Sequence, residues 1–279
     1  MDLTEVLVDA KLAEIFRKEK VETVVHAALP VTPLPNLSYA HELQSVGTMY
    51  LLNACTGAGV RKIILTSTTD VYGAHPTNPN FLSETAALRG GYKSRFIADK
   101  IDAEMQFLSC AKKHPEMVVT ILRPCTIIGP NVHNFKTTFL QRPIVFTIMG
   151  YDPLYQAIHE DDVLRAFELS IDKDFPGIFN IVGEGVVPLS RILKLAGRIA
   201  IPVPSPVLYP VSQILWYAGV YSAPSSHFDF LKYLCVASGE KARQIMKFKP
   251  RHNTKEALLA FIGAMRLREV NLVGLGQET

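Results

Sequence analysis

The chain has 279 residues, a net charge of +3, and charged residues at 20% of the total. That length suits one large domain or two interleaved smaller ones, and a hydrophobic fraction of 48% is ordinary for a folded globular protein. No Lys/Arg block is longer than a pair, which excludes a nucleic-acid footprint and predicts no nucleic-acid partner.

The start, "MDLTEVLVDA", carries acids and lacks an apolar core, so it does not read as a signal peptide. Thr4 to Lys20 is amphipathic and predicts a helix. "VETVVHAAL", Val21 to Leu29, is β-branched and apolar without clean alternation, the pattern of a strand buried on both faces. Proline-rich "PVTPLPN" makes a loop. Ser38 to Ala58 reads as helix, stopped by Gly57 and Gly59. Lys62 to Ser67 is a second buried strand, and a polar loop follows from Tyr72 to about Gly91. Ser94 to Lys112 is helix again, and Met117 to Arg123 is a third buried strand.

Strand, helix, strand, helix, strand at this spacing predicts an α/β fold with a parallel sheet and crossover helices. Such sheets place their sites at the C-terminal ends of the strands. The informative stretches should therefore be "HAALP", "STTDVYG" and "RPCTIIGPN", and they are.

Beyond Pro130 the elements shorten. A helix is expected from Phe135 to Met149, and another near Val163 capped by Asp161 or Asp162. "GIFNIVGEG" reads as a strand and "PLSRILKLAGRI" as a helix begun by Pro188 and Ser190. Ile199 to His227 holds no charge, but its prolines rule out a spanning helix. Only Val211 to Tyr221 suits one short apolar helix. It either covers a core or substrate, or makes weak, shallow membrane contact. Two helices parted by Pro250 follow, and the tail from Arg266 is expected to fray. Cys55, Cys110, Cys125 and Cys235 are scattered through apolar segments with no metal-ligand spacing. Buried reduced thiols in a reducing, cytoplasmic compartment are the expectation, with no metal.

At this point the motifs resemble the extended short-chain dehydrogenases/reductases of the NAD-dependent epimerase/dehydratase type, and their atypical members. "DLTE" looks like the acidic strand end that meets adenine. "VVHAAL" looks like V-x-H-x-A-A, and "LQSVGT" like N-V-x-G-T. "STTDVYG" matches S-S/T-x-x-V-Y-G, and "LRPCTIIGPN" matches L-R-P-x-x-x-x-G-P. "IHEDDVLRAF" matches V-H-V-D-D-V-x-x-A, and "KFKPRHNTKEAL" resembles the closing G-W-x-P segment. The resemblance spans residue 1 to about 262. It implies a Rossmann-like parallel sheet in 1–130, a smaller interleaved substrate-binding region in 131–265, and a tail in 266–279. It implies NAD or NADP as cofactor and a small-molecule substrate, with a homodimer open. Cofactor contacts would fall on Asp2, Leu3, Ala27, Ala28, Leu29, Gln44, Thr66, Lys100, Arg123, Pro124 and Thr126.

Two departures stand out. No G-x-x-G-x-x-G follows a strand, so the turn that holds a pyrophosphate in this family is missing from the sequence. The chain starts where the family's third strand ends. The sheet is thus expected to be N-terminally incomplete, with Val21 to Leu29 at its edge. A shortened product of a longer reading frame is one expectation. The other is a genuinely short form whose edge pairs with a partner.

The second departure lies in "YKSRFIADK", Tyr92 to Lys100. The family helix reads Y-x-x-x-K-x-x-A/V-E, with Tyr and Lys one turn apart on one face. Only the frame Phe96 to Glu104 keeps the last pair. Lys100 is then the lysine, Phe96 replaces the tyrosine, and Thr68 and Gln44 match the catalytic Ser/Thr and Asn. Phenylalanine has no proton to give. A water, Tyr92 or a substrate group would have to replace the phenol. The implied function is an epimerase/dehydratase-like protein or oxidoreductase acting on a sugar nucleotide, steroid or similar alcohol or ketone. The alternative is a non-catalytic cofactor-binding or scaffold protein of the same fold.

Overall fold

A computed structural model describes residues 2–5, 7–34, 36–220 and 224–275, the last six as backbone alone. Pro35 of the proline-rich loop, Tyr221 at the end of the apolar segment, and 276–279 of the tail lie outside the described residues.

Helix α1 (Val8–Lys18) leads into strand β1 (Thr23–His26). A helical run then joins α2 (Leu37–His41), a wide π-type turn (Glu42–Val46) and α3 (Gly47–Ala58). Strand β2 (Lys62–Thr66), helix α4 (Arg95–Lys113) and strand β3 (Val118–Pro124) complete the first half. Then come β4 (Thr126–Ile128), α5 (Phe135–Gln141), β5 (Ile144–Ile148), β6 (Leu154–Tyr155), β7 (Ala157–His159) and α6 (Glu160–Asp172). Strand β8 (Gly177–Ile181) follows, with β9 (Val187–Pro188), α7 (Leu189–Leu195), β10 (Ile199–Val203), α8 (Ser205–Tyr217) and α9 (Thr254–Leu275).

The main sheet has the order β1-β2-β3-β8 and every pairing is parallel. Strand β1 is its edge among the described strands, as the sequence implies. The pleat explains the unbroken apolar runs. Ile63, Leu65, Val119 and Ile121 share a core with Leu51, Leu52, Cys55 and Phe107 of α3 and α4. Ile64 and Leu122 share the opposite core with Val163, Ala166 and Phe179. Both faces are covered, so both alternating sets must be apolar. Lys62 opens β2 fully buried, and its ammonium caps the C-terminal end of α6 by donating to the carbonyls of Ser170, Ile171 and Lys173 at 3.1, 2.7 and 2.9 Å. A third core, around Leu189, Ile192, Phe228, Leu258 and Phe261, builds the C-terminal region.

Several expectations change. The strand expected over Val21 to Leu29 forms only at Thr23–His26 and is not buried on both faces: Val25 is 38% exposed, because β1 lies at the edge of the sheet. The helix foreseen from Phe135 to Met149 stops at Gln141, because Pro143 follows and the β-branched "IVFTI" instead pairs in parallel with β10. Helix α6 begins at Glu160, ahead of Val163. Its cap is His159, whose Nδ1 accepts from the Asp161 backbone N–H at 3.2 Å. Helix α9 runs on to Leu275 rather than fraying at Arg266. Among the described residues no helix is long and apolar enough to cross a membrane. Helix α8 starts at Ser205 with Pro206 in its first turn, where a missing N–H costs nothing. It buries Leu208, Ser212 and Trp216 and exposes Val207, Val211, Ile214 and Tyr217.

Candidate functional site

The site lies at the C-terminal edge of the main sheet, between that edge and the segments after β3. Helix α4 supplies its centre. Gly90 lets the chain pass tightly before the helix: a Cβ there would stand 2.3 Å from the Asp70 carbonyl oxygen. That close approach fixes the start of α4 against the turn Thr69–Tyr72.

Phe96 and Lys100 then share one face of α4, both buried, and the Lys100 ammonium sits 4.8 Å from the Phe96 ring centre. Lys100 Nζ donates to the Pro30 carbonyl oxygen at 3.0 Å, so it reaches the loop that leaves β1. Burial pushes its pKa down to about 8, against the pull of Asp70 and Asp99. Thr68 stands in extended backbone just beyond β2, and its Oγ1 accepts from the Asp70 backbone N–H at 3.2 Å. Tyr92 ends the turn Gly90–Tyr92 ahead of α4 and is 83% exposed, out in solvent.

The sheet edge near β1 and β2 is open in chemistry. Ala27 and Ala28 are exposed where β1 ends, and Leu29 turns into the core. Gln44 is fully buried. Its Nε2 donates to the Ala40 carbonyl at 3.4 Å, but Oε1 has no partner. Thr66 Oγ1 and Ser67 Oγ are likewise buried without a partner. Asp2 accepts from the Thr4 backbone and hydroxyl at 3.0 Å each, and Leu3 packs where Gly47 leaves room, a Cβ there standing 2.9 Å from Leu3 Cβ. His26 bonds Thr48 Oγ1 at 2.9 Å and stacks on Phe107, so it belongs to the core. Burial lowers its pKa to about 4.

The end of β3 is different. Arg123 is 1% exposed and grips the fully buried Glu104 through Nε at 2.9 and 3.2 Å and Nη2 at 2.5 Å. Its Nη1 donates to the Tyr72 hydroxyl at 2.9 Å, and that hydroxyl donates to Asn180 Oδ1 at 2.7 Å. Arg123 is thereby committed inside the fold, and Pro124 is buried beside it, paired with Ile181 of β8. Thr126 faces the site. Its Oγ1 accepts from Lys136 Nζ at 3.1 Å, and Lys136 also pairs with Asp70 Oδ1 at 2.7 Å.

Two spaces lie near Phe96, and one of them is bordered by it. A cleft of about 180 Å³ lies between α2, the start of α4 and α8, bordered by Leu34, Leu37, Phe96, Asp99 and Trp216. Its polar lining includes Ser94, Ser226 and Asp99, each with a buried oxygen that lacks a partner. A second cavity of about 80 Å³ lies behind, among α5, α7 and the turn Ser225–Leu231, with Phe135, Lys136, Tyr155, His227 and Phe230 in its lining. The His227 ring stands 6.2 Å from Phe96 and edge-on to Phe135 at 4.7 Å, and so separates the two spaces.

The sequence profile of the NAD dependent epimerase/dehydratase family matches residues 2–182. The chain belongs to that family. An "Uncharacterized protein" of Mycobacterium tuberculosis is 33% identical over 281 aligned positions, covering 96% of this chain and 75% of that one. Among solved structures, "MoeE5 in complex with UDP-glucuronic acid and NAD" superposes with a TM-score of 0.75 at 21% identity, covering 96% of this chain and 85% of that one. The dTDP-glucose 4,6-dehydratase DesIV of Streptomyces venezuelae, with NAD and TYD bound, gives 0.75 at 18%, covering 97% and 79%. These likenesses fix the extended Rossmann-like architecture of this family member.

Within the family framework, sequence reasoning missed Asp70, Lys136, Asp99, Ser94 and His227. Asp70 sits inside the quoted "STTDVYG" and was readable there as a carboxylate beside Thr68. His227 closes an uncharged stretch, between Ser226 and Phe228, which is a weak signal without the fold.

Proposed function

We propose that this protein binds NAD(P) along the β1–β2 end of the sheet and acts as an oxidoreductase or epimerase-like enzyme on an alcohol or ketone. The observation that carries the reading is Lys100: buried, charged, reaching the sheet edge at Pro30, and one turn from Phe96. The surrounding residues fit the nicotinamide-ribose half of the cofactor. Lys100 would hold ribose hydroxyls, and Thr66, Ser67 and Gln44 offer buried oxygens that need partners. Ala27 and Ala28 leave a bare ledge beside them, and Asp2 and Leu3 lie at the adenine end. The pyrophosphate half has no G-x-x-G-x-x-G turn in this sequence to meet it. When bound, a nicotinamide supplies or accepts a hydride.

Thr68 would hold the substrate oxygen. Its Oγ1 already accepts from the Asp70 N–H, so its own proton is available to donate. Phe96 supplies shape and no proton. With Tyr92 in solvent, the proton would come from a water or from the substrate. The substrate classes in view are a sugar nucleotide, as in the named structures, a steroid, or a similar alcohol or ketone.

A second reading is a non-catalytic cofactor-binding or scaffold protein. The packing of the Phe96 ring under the Lys100 ammonium favours it, because that contact fills the space of the missing phenol. Calorimetry with NADH and NADPH tests the common part: wild type binds one of them, and Lys100→Ala weakens binding by about tenfold or more. No binding, or binding indifferent to Lys100→Ala, overturns the cofactor reading. Assay against a carbonyl panel then separates the two. In the enzyme reading wild type turns over, and Phe96→Tyr raises the rate toward the roughly 10²- to 10⁴-fold that general acid-base help supplies. In the scaffold reading wild type is silent.

A further inference from the structure

Resting on the proposal that the region around Phe96 is a substrate site, we propose that the cavity behind it takes the small apolar end of a ligand, bearing one carbonyl or hydroxyl recognised by His227. The substrate class is then a lipophilic alcohol or ketone rather than a nucleotide diphosphate.

The lining of the cavity is almost wholly apolar, with Ile128, Phe135, Phe139, Ile192, Phe230 and Leu231 forming most of its wall. At about 80 Å³ it takes only the small end of a ligand and not a sugar nucleotide, since enclosing a benzene ring needs about 150 Å³. His227 also lines it, beside Thr126, Thr137, Tyr155 and two cations. It is 7% exposed, and neither ring nitrogen makes a hydrogen bond of normal geometry, although the Pro224 backbone carbonyl stands close enough to act on its titration. A buried polar group left unpaired costs about 1–3 kcal/mol, and each such group in a folded protein calls for a reason. A ligand oxygen is a sufficient reason.

The chemistry of His227 narrows the ligand. Burial pushes its pKa down to about 4, so at neutral pH the ring carries one N–H and one lone pair. That pair suits a carbonyl or a hydroxyl and has no charge to offer an anion. The two cations in the lining are already engaged. Lys136 pairs with Asp70 at 2.7 Å, and Arg142 donates to the Val220 carbonyl at 3.0 Å. A diphosphate entering here would have to break one of those contacts. Phe96, where the family motif has tyrosine, borders the neighbouring cleft. The His227 ring lies 6.2 Å from it, so a carbonyl held by His227 stands beside the altered position rather than remote from it.

The test uses the 279-residue chain and two probes. 4-Fluoroacetophenone is followed by ¹⁹F line broadening, with 4-fluorotoluene as the analogue lacking the carbonyl, and UDP-glucose is titrated by calorimetry. The expected result is broadening of the ketone, about tenfold weaker binding of the toluene, and no UDP-glucose binding that competes with the ketone. His227→Phe should reduce ketone binding to the level of the toluene while keeping or raising Tm, because it removes an unpaired polar ring. Leu231→Trp fills the cavity and should abolish binding of both aromatics. Ketone binding that survives Leu231→Trp overturns the cavity as the site. Binding unchanged in His227→Phe overturns the recognition. UDP-glucose bound in preference to the ketone overturns the substrate class. NADH titrated into the same samples keeps the two proposals apart. NADH binding without ketone binding defeats this inference alone, and ketone binding without NADH binding defeats the cofactor reading alone.

Discussion

The two halves of one sheet edge are built on opposite principles. At the end of β3, every polar group of the Arg123, Glu104, Tyr72 and Asn180 cluster has a partner, and Asn180 Nδ2 goes on to the Leu82 and Ser238 carbonyls at 3.1 Å each. At the ends of β1 and β2 and in the turn before α3, buried Gln44 Oε1, Thr66 Oγ1 and Ser67 Oγ have no partner, and the lysine has a single carbonyl. A saturated cluster has nothing left to offer a ligand. An unsaturated one spends stability to stay open. The contrast separates structure from site without any appeal to residue type, since both halves contain a buried cation.

The largest test of the contrast is to break the saturated half. Glu104→Ala leaves the Arg123 guanidinium buried without its carboxylate. Burial alone would lower the Arg123 pKa, and the hydrogen bonds and charge of Glu104 more than reverse that. Losing one partner of such a pair costs roughly 3–5 kcal/mol, a Tm fall on the order of 10 °C for a chain of this size. Urea unfolding of Glu104→Ala and of the double variant Glu104→Met with Arg123→Met should show the double recovering most of the loss. A loss under about 1 kcal/mol in the single variant would mean the cluster is not the structural half.

The second test touches the open half. Lys100 is almost wholly buried with its pKa at about 8, below the ordinary lysine value of 10.5. Between those values the unfolded chain holds more protons than the folded one, so wild-type stability rises as pH rises through that window. The penalty is present in full below about 8. Lys100→Met should therefore stabilise the protein by up to about 3 kcal/mol at neutral pH, with the advantage fading toward pH 10.5. The same variant should lose NADH affinity. A variant that is less stable at pH 7 would show that Lys100 is part of the saturated structure after all.

The sheet was legible in the sequence because parallel strands covered on both faces leave unbroken β-branched runs, as in "KIILTS" and "MVVTILR". The spacing in α4 does place Phe96, Lys100, Ala103 and Glu104 on one buried face. The pairings that decide the site were not legible. Lys136 meets Asp70 across 66 residues, and Lys93 meets Asp229 across 136. Local spacing carries no trace of such contacts. Arg123 gives the sharpest case, since strand-end position suits both a cofactor contact and a buried ion pair, and only Glu104, a helix away, decides between them. The strand β5 was hidden for a different reason: a largely apolar five-residue run following a helix looks like its continuation until β10 is there to pair with it.

The finest test compares one substitution at two places in the same sheet. Thr120 on β3 is fully buried, and its Oγ1 donates to the Phe175 carbonyl at 2.7 Å. Thr66 on β2 has its Oγ1 buried with no partner. Valine keeps the branched shape at either position and deletes the hydroxyl. Thr120→Val orphans a carbonyl and should cost about 1 kcal/mol or somewhat more. Thr66→Val removes an unpaired hydroxyl and should be neutral or stabilising by up to about 1 kcal/mol. Denaturant midpoints at constant m-value read both. Opposite signs mean the β2 end is held open by its own chemistry, waiting for a partner that the rest of the fold does not supply. Equal losses mean Thr66 already has a partner, and the division of the sheet edge into a closed and an open half fails at that residue.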